Sequence, residues 1–133
     1  MMVSSWSRLA LYAIVTAGIL ATARGQDRHD RAEFMQEKLR HSKDILEGLT
    51  REDYSQIRKG ACALKSMNES HEWAGRSRPE AVRFRLYSLE FEELLEQLIA
   101  KADQKNIDGA TLAYLRLTMN CVNCHKELRS RHR

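Results

Sequence analysis

Past residue 26, apolar residues recur at spacings of three and four, and no stretch alternates apolar and polar for any length. That period is the helical one, so a sheet has nothing to be built from. The first run carries Met35, Leu39, Ser42, Leu46 and Leu49, widened by Phe34 and Ile45. It ends at Gly48-Leu49-Thr50, and Thr50-Arg51-Glu52-Asp53 reads as a capping box for the next helix. The second run has Tyr54, Ile57, Ala61 and Leu64, and fades near Asn68. A loop is expected from Glu69 to Arg78. The only proline, Pro79, then sits where a first helical turn tolerates it. The third run has Phe84, Tyr87, Phe91, Leu94 and Leu98. Asn106-Ile107-Asp108-Gly109 breaks the pattern, with Asp108 as the expected N-cap. The last run has Ala110, Tyr114, Leu117, Cys121, Cys124 and Leu128. Four amphipathic helices with short connections predict an all-α, up-and-down antiparallel four-helix bundle.

The first residues follow another rule. Arg8 precedes Leu9 to Ala21, a run with no charge, and Ala21-Thr22-Ala23 offers a small-x-small site before Arg24-Gly25. A basic start, a short apolar run and small residues describe a signal peptide over 1–25, cleaved after 23 or 25. The run is shorter than the roughly 20 residues that span a bilayer, so no stable membrane insertion is expected after cleavage. The rest, 26–133, has room for one domain. The chain has 22 Lys and Arg against 18 Asp and Glu, a net charge of +4. Losing Arg8, or Arg8 and Arg24, leaves +3 or +2. So small and dispersed an excess does not suit nucleic-acid binding.

Three cysteines remain in the exported part: Cys62, Cys121 and Cys124. The last two belong to Cys121-Val122-Asn123-Cys124-His125. Positions i, i+3 and i+4 share one helix face, so both thiols and the imidazole project to one side. That arrangement matches covalent haem c attachment, with two thioethers to the porphyrin and the imidazole as proximal iron ligand. A thioredoxin-like pair expects a preceding strand, which is absent. A structural zinc site needs four donors, and His29, His41, His71 and His132 are scattered. A disulfide between Cys121 and Cys124 would be strained within a helix. Export supplies the compartment for haem attachment and points to the periplasm. Cys62 is left over; it reads as a small buried residue of the second helix or as a thiol open to intermolecular pairing.

With a motif of this kind near the end of the fourth helix, the chain resembles the class II cytochromes c, meaning the cytochromes c′ and their low-spin relatives. The resemblance covers roughly 27–133. It is strongest in Ala102 to Gly109 and in Cys121 to Arg129. It implies one haem c per chain, with an Arg four residues after the proximal His, here Arg129. It also implies a first-helix Arg followed four residues later by the side chain facing the sixth iron position, here Arg31 and Met35. In cytochromes c′ that side chain is usually apolar and does not ligate; in the low-spin relatives it is a ligating Met. Aromatics near the position of Trp73 pack on the haem edge in the family. Relatives often pair through their first two helices, which implies a possible homodimer.

Met35 therefore separates two kinds of function. As a ligand with His125 it closes the iron, raises the potential and suits a single-electron carrier serving redox protein partners. As core filler alongside Leu39 and Leu46 it leaves an open iron that takes NO or CO. His41 is the rival sixth ligand, on a different part of the helix face. An enzyme such as a peroxidase needs a distal acid–base group, which Met35, Leu39 and Ser42 do not provide. Arg31 and Arg129 read either as partners of haem propionates or the proximal ring, or as solvated charges. The cluster from Arg129 to Arg133 complements the helix C-terminus and would steer an acidic partner.

Overall fold

The computed structural model describes residues 29–70 and 79–130. These form four helices packed against one another, and no strand occurs among the described residues. They are α1 (29–50), α2 (Tyr54–Ser70), α3 (Pro79–Asp103) and α4 (Ile107–Ser130). Pro79 opens α3 as expected. The segment 1–25 expected to be a signal peptide, His71, Trp73 and His132 lie outside the described residues. The chain divides into two compact units, Met1–Glu37 and Lys38–Arg133. The described part of the first is the helical stretch 29–37, exposed except for half-buried Phe34 and Met35. All packing described below belongs to the second.

Two short connections join α1 to α2 and α3 to α4, and they are built alike. Glu52 and Lys105 adopt left-handed backbone, with φ of 53° and 54°. Each follows a helix end whose carbonyls are then taken up. Asp53 N–H donates to Gly48 O at 2.8 Å and Glu52 N–H to Leu49 O at 3.3 Å. Asn106 N–H donates to Lys101 O and Lys105 N–H to Ala102 O, both at 3.0 Å. This double pattern satisfies carbonyls that a helix end would otherwise leave open. The next helices are capped by Asp53, whose Oδ1 accepts from Gln56 N–H at 2.9 Å, and by Asn106, whose Oδ1 accepts from Gly109 N–H at 2.8 Å. The expected caps, Thr50 and Asp108, are corrected. The hydroxyl of Thr50 donates back to Glu47 O at 2.8 Å, and Asp108 already lies inside α4.

Helices α1 and α2 meet closely because two glycines let them. A Cβ on Gly60 would lie 2.7 Å from Ile45 Cγ1, and one on Gly48 would lie 3.0 Å from Ile57 Cγ1 and its backbone nitrogen. Elsewhere side chains tie the helices pairwise. Arg58 pairs with Asp103 and Lys65 with Glu96 between α2 and α3. Arg116 donates to Gln97 and Arg83 pairs with Glu127 between α3 and α4.

The core consists of Ile45 and Leu49 from α1, Ile57, Ala61 and Leu64 from α2, Phe91, Leu94, Leu95, Leu98 and Ala102 from α3, and Ala110, Ala113 and Leu117 from α4. Burying each large aliphatic side chain contributes about 1.5–3 kcal/mol. The stripes expected on α2 and α3 hold, with Leu95 added. Two others are corrected. On α1 the inward row runs through Lys38, His41, Ser42, Ile45 and Leu49, while Leu39 and Leu46 are 47% and 49% exposed. On α4 the inward row is Ala110, Ala113, Leu117 and Asn120, not Tyr114 and Leu128. Tyr114 flanks the core and Leu128 is 40% exposed. In both helices an apolar side chain one position off the true row imitates it.

Candidate haem attachment site

The hydrophobic core does not run the length of the helices. Among the described side chains of the second unit, no apolar residue between Lys38 and Ile45 on α1, after Leu64 on α2, before Phe91 on α3 or after Leu117 on α4 is fully buried. These four stretches belong to one end. Lys38 donates to Asn68 Oδ1 at 3.4 Å, Asn68 Nδ2 donates to Ser88 O at 3.2 Å, and Arg83 reaches Glu127. Half-exposed apolar and aromatic side chains remain there, among them Met67, Phe84 and Tyr87. The last layer before this end contains Asn120, the one buried polar side chain among the described residues. Its Nδ2 donates to Glu90 Oε2 at 2.8 Å.

Cys121, Cys124 and His125 lie one turn beyond Leu117, at the open end. All are helical, so the i, i+3, i+4 relation expected of them holds. Cys124 is half-buried and continues the inward row set by Leu117 and Asn120; Cys121 and His125 face solvent. Both thiols are free. Desolvation pushes the Cys121 and Cys124 thiols up from the usual thiol range, and the nearby Lys38 ammonium opposes it in each. Cys121 is thus exposed by area yet has enough protein around its sulfur to disfavour a thiolate. The two facts agree if the thiol lines an open, walled surface. The surface area governs whether a reagent reaches it, and the surrounding protein governs its charge.

Lys38 is the residue that sequence reasoning missed. Its ammonium lies 4.2 Å from the centre of the Phe91 ring and is coupled electrostatically to both motif thiols. Burial lowers its pKa; the thiols work in the other direction. Lys38 stands seven residues before Ile45 on the same helical row, but a lysine on an amphipathic helix ordinarily reads as solvent-facing.

The other candidates are placed less centrally. Met35 is half-buried and Arg31 exposed, both in the first unit. Arg129 is an exposed base in the last turn of α4, where it complements the helix dipole. His41 is half-buried and both ring nitrogens are engaged. Nε2 lies 3.0 Å from Arg40 Nη2, and Nδ1 lies 3.6 Å from Asp44. Cys62 is half-buried on α2.

The donor set fits a haem better than a bare ion. Two free thiols and an imidazole share one helix face, at an end where no described apolar side chain is fully buried. No group of three or more His, Cys, Asp or Glu side chains suited to a metal ion occurs among the described residues. No helix among them is long and apolar enough to cross a membrane. Comparison with known proteins adds no relative: no family model, curated protein or solved structure matches the chain.

Proposed function

We propose that this chain is an exported, periplasmic c-type cytochrome that carries one haem c and passes single electrons between redox proteins rather than catalysing a reaction. The observation that carries the reading is the position of the Cys121-to-His125 motif: on one helix face, at the end where the apolar core stops. A haem held there supplies one-electron exchange between ferric and ferrous iron. The pairings of Gly60 with Ile45, Lys65 with Glu96 and Arg83 with Glu127 support reading the four helices as an up-and-down antiparallel bundle.

Each residue then has a task. Cys121 and Cys124 give their sulfurs to the two thioether bonds. His125 binds the iron from the proximal side. Met35 is assigned as the sixth ligand, which keeps small molecules off the metal; Arg31, Arg129 and Trp73 are assigned to the haem periphery. The half-exposed Met67, Phe84 and Tyr87 offer apolar surface for the macrocycle.

The test is direct. The protein, secreted from a host that attaches haem c, is run on a denaturing gel and stained for haem. Retained stain, lost when Cys121 and Cys124 are both changed to Ala, supports the reading. A stain-free wild-type protein overturns it. A high-spin ferric spectrum, with rapid CO binding after reduction, would instead make it a gas-binding protein in which Met35 only lines the pocket.

A further inference from the structure

Resting on the haem reading above, we propose that Lys38 is a cation built into the attachment edge of the haem site, and that its charge raises the reduction potential. The ammonium is anchored from two other helices. Asn68 Oδ1 on α2 accepts its hydrogen bond at 3.4 Å, and the Phe91 ring on α3 faces it at 4.2 Å. Asn68 is itself fixed, because its Nδ2 donates to Ser88 O at 3.2 Å. On α4 the ammonium is coupled to the sulfurs of both Cys121 and Cys124. A group bonded to those two sulfurs would lie within reach of its field.

Both anchors favour the charged form. An amide oxygen accepts from an ammonium, and the face of an aromatic ring attracts a cation. Thioether formation removes the thiol protons and with them any chance that a thiolate neutralises Lys38. What remains beside the haem is a cation held by its two anchors, its pKa lowered from the ordinary lysine value by burial.

The effect on redox chemistry follows from charge alone. Oxidation takes one electron from the site and leaves it one unit more positive, with no bond made and no proton moved. A neighbouring cation disfavours that product. Unit charges about 10 Å apart, at an effective dielectric of about 20, interact strongly enough to change an equilibrium about tenfold. For a one-electron couple, tenfold corresponds to ~59 mV.

The experiment uses the full-length haem-loaded protein as wild type, Lys38→Met, Lys38→Gln and Lys38→Arg. Each is checked by haem stain and circular dichroism, and titrated in a spectroelectrochemical cell at low salt. Removing the charge should lower the ferrous-to-ferric ratio at a fixed potential by about three- to tenfold in Lys38→Met. Lys38→Gln, which keeps a donor for Asn68, covers a failure of the Met variant to fold and should shift alike. Lys38→Arg should stay within about twofold of wild type. Neutral variants that keep the wild-type potential overturn the proposal. So does an equal shift in Lys38→Arg, which would assign Lys38 to packing. A wild-type protein without covalent haem overturns the cytochrome reading and this proposal together, whereas haem with an unchanged potential overturns this proposal alone.

Discussion

Asn120 Nδ2 donates to Glu90 Oε2 at 2.8 Å, joining α4 to α3 one residue before Cys121. Asn120 is only 4% exposed, whereas Glu90 reaches solvent, so the pair has a dry side and a wet side. Replacing Asn120 with Ala should cost about 1–3 kcal/mol, from the lost hydrogen bond and the gap it leaves. Asn120→Asp should cost more at neutral pH, because a buried carboxylate would then face Glu90. Its deficit should shrink as pH falls and that carboxylate takes a proton. Urea unfolding of the three proteins at neutral and acidic pH checks both statements. Equal stability of Asn120→Asp and wild type at neutral pH would contradict them.

The corrected register of α1 makes its own forecast. Ile45 is fully buried and its neighbour Leu46 is 49% exposed. Ile45→Ala should lose about 2–5 kcal/mol. Leu46→Ala and Leu39→Ala should each stay within about 0.5 kcal/mol of wild type. Denaturant midpoints measured side by side decide the matter; a large loss at Leu46 would restore the stripe read from the sequence.

At Gly60 the forecast runs against helix propensity. Alanine in a helix interior normally stabilises by roughly 0.5–1 kcal/mol relative to glycine. Here its Cβ would meet Ile45 Cγ1 at 2.7 Å, so Gly60→Ala should destabilise by about 1–3 kcal/mol. Thermal melting reads the sign directly.

The thiols should titrate late. In the haem-free full-length chain, desolvation raises Cys121 and Cys124, so alkylation followed by mass spectrometry should show them reacting with midpoints above the ordinary thiol range. Because Lys38 opposes that rise, Lys38→Met should move the midpoints further up. The sign for stability follows: groups that hold protons more tightly when folded stabilise at pH below the unfolded thiol value. That contribution fades as pH rises through the folded one. Midpoints at or below the ordinary thiol value would contradict the crowding around the sulfurs.

In the haem-loaded protein, Met35→Leu should convert a low-spin ferric spectrum to high spin and open the iron to CO. An unchanged spectrum would return Met35 to the role of filler.

How far these features can be read from the chain varies with the kind of residue involved. Ile57, Ala61 and Leu64 on α2, and Phe91, Leu94 and Leu98 on α3, announce their faces because every inward position is apolar. On α1 the inward row includes Lys38, His41 and Ser42, and apolar Leu39 and Leu46 stand beside it; periodicity follows the leucines and lands one position away. The caps at Asp53 and Asn106 were displaced for a related reason. Glu52 and Lys105 take the left-handed position that glycine usually marks, so both helix ends lack their usual sign. The Cys121-to-His125 motif stands out in the sequence by its spacing, and the structure places it on one helix, α4. The neighbouring ammonium does not stand out, since a lysine on an amphipathic helix reads as solvent-facing until three other helices are placed around it.

The uneven core has a consequence for how the chain opens. Its buried side chains gather at the end that holds both capped turns, so amide hydrogens there should exchange only on global unfolding. Among the described residues, the cysteine end has few fully buried side chains, and it should open by itself at much lower free energy. Opening would bring half-buried Cys124 within reach of a modifying enzyme, as exposed Cys121 already is, while the far half of the bundle stays folded, and a group attached to both would fasten that end shut.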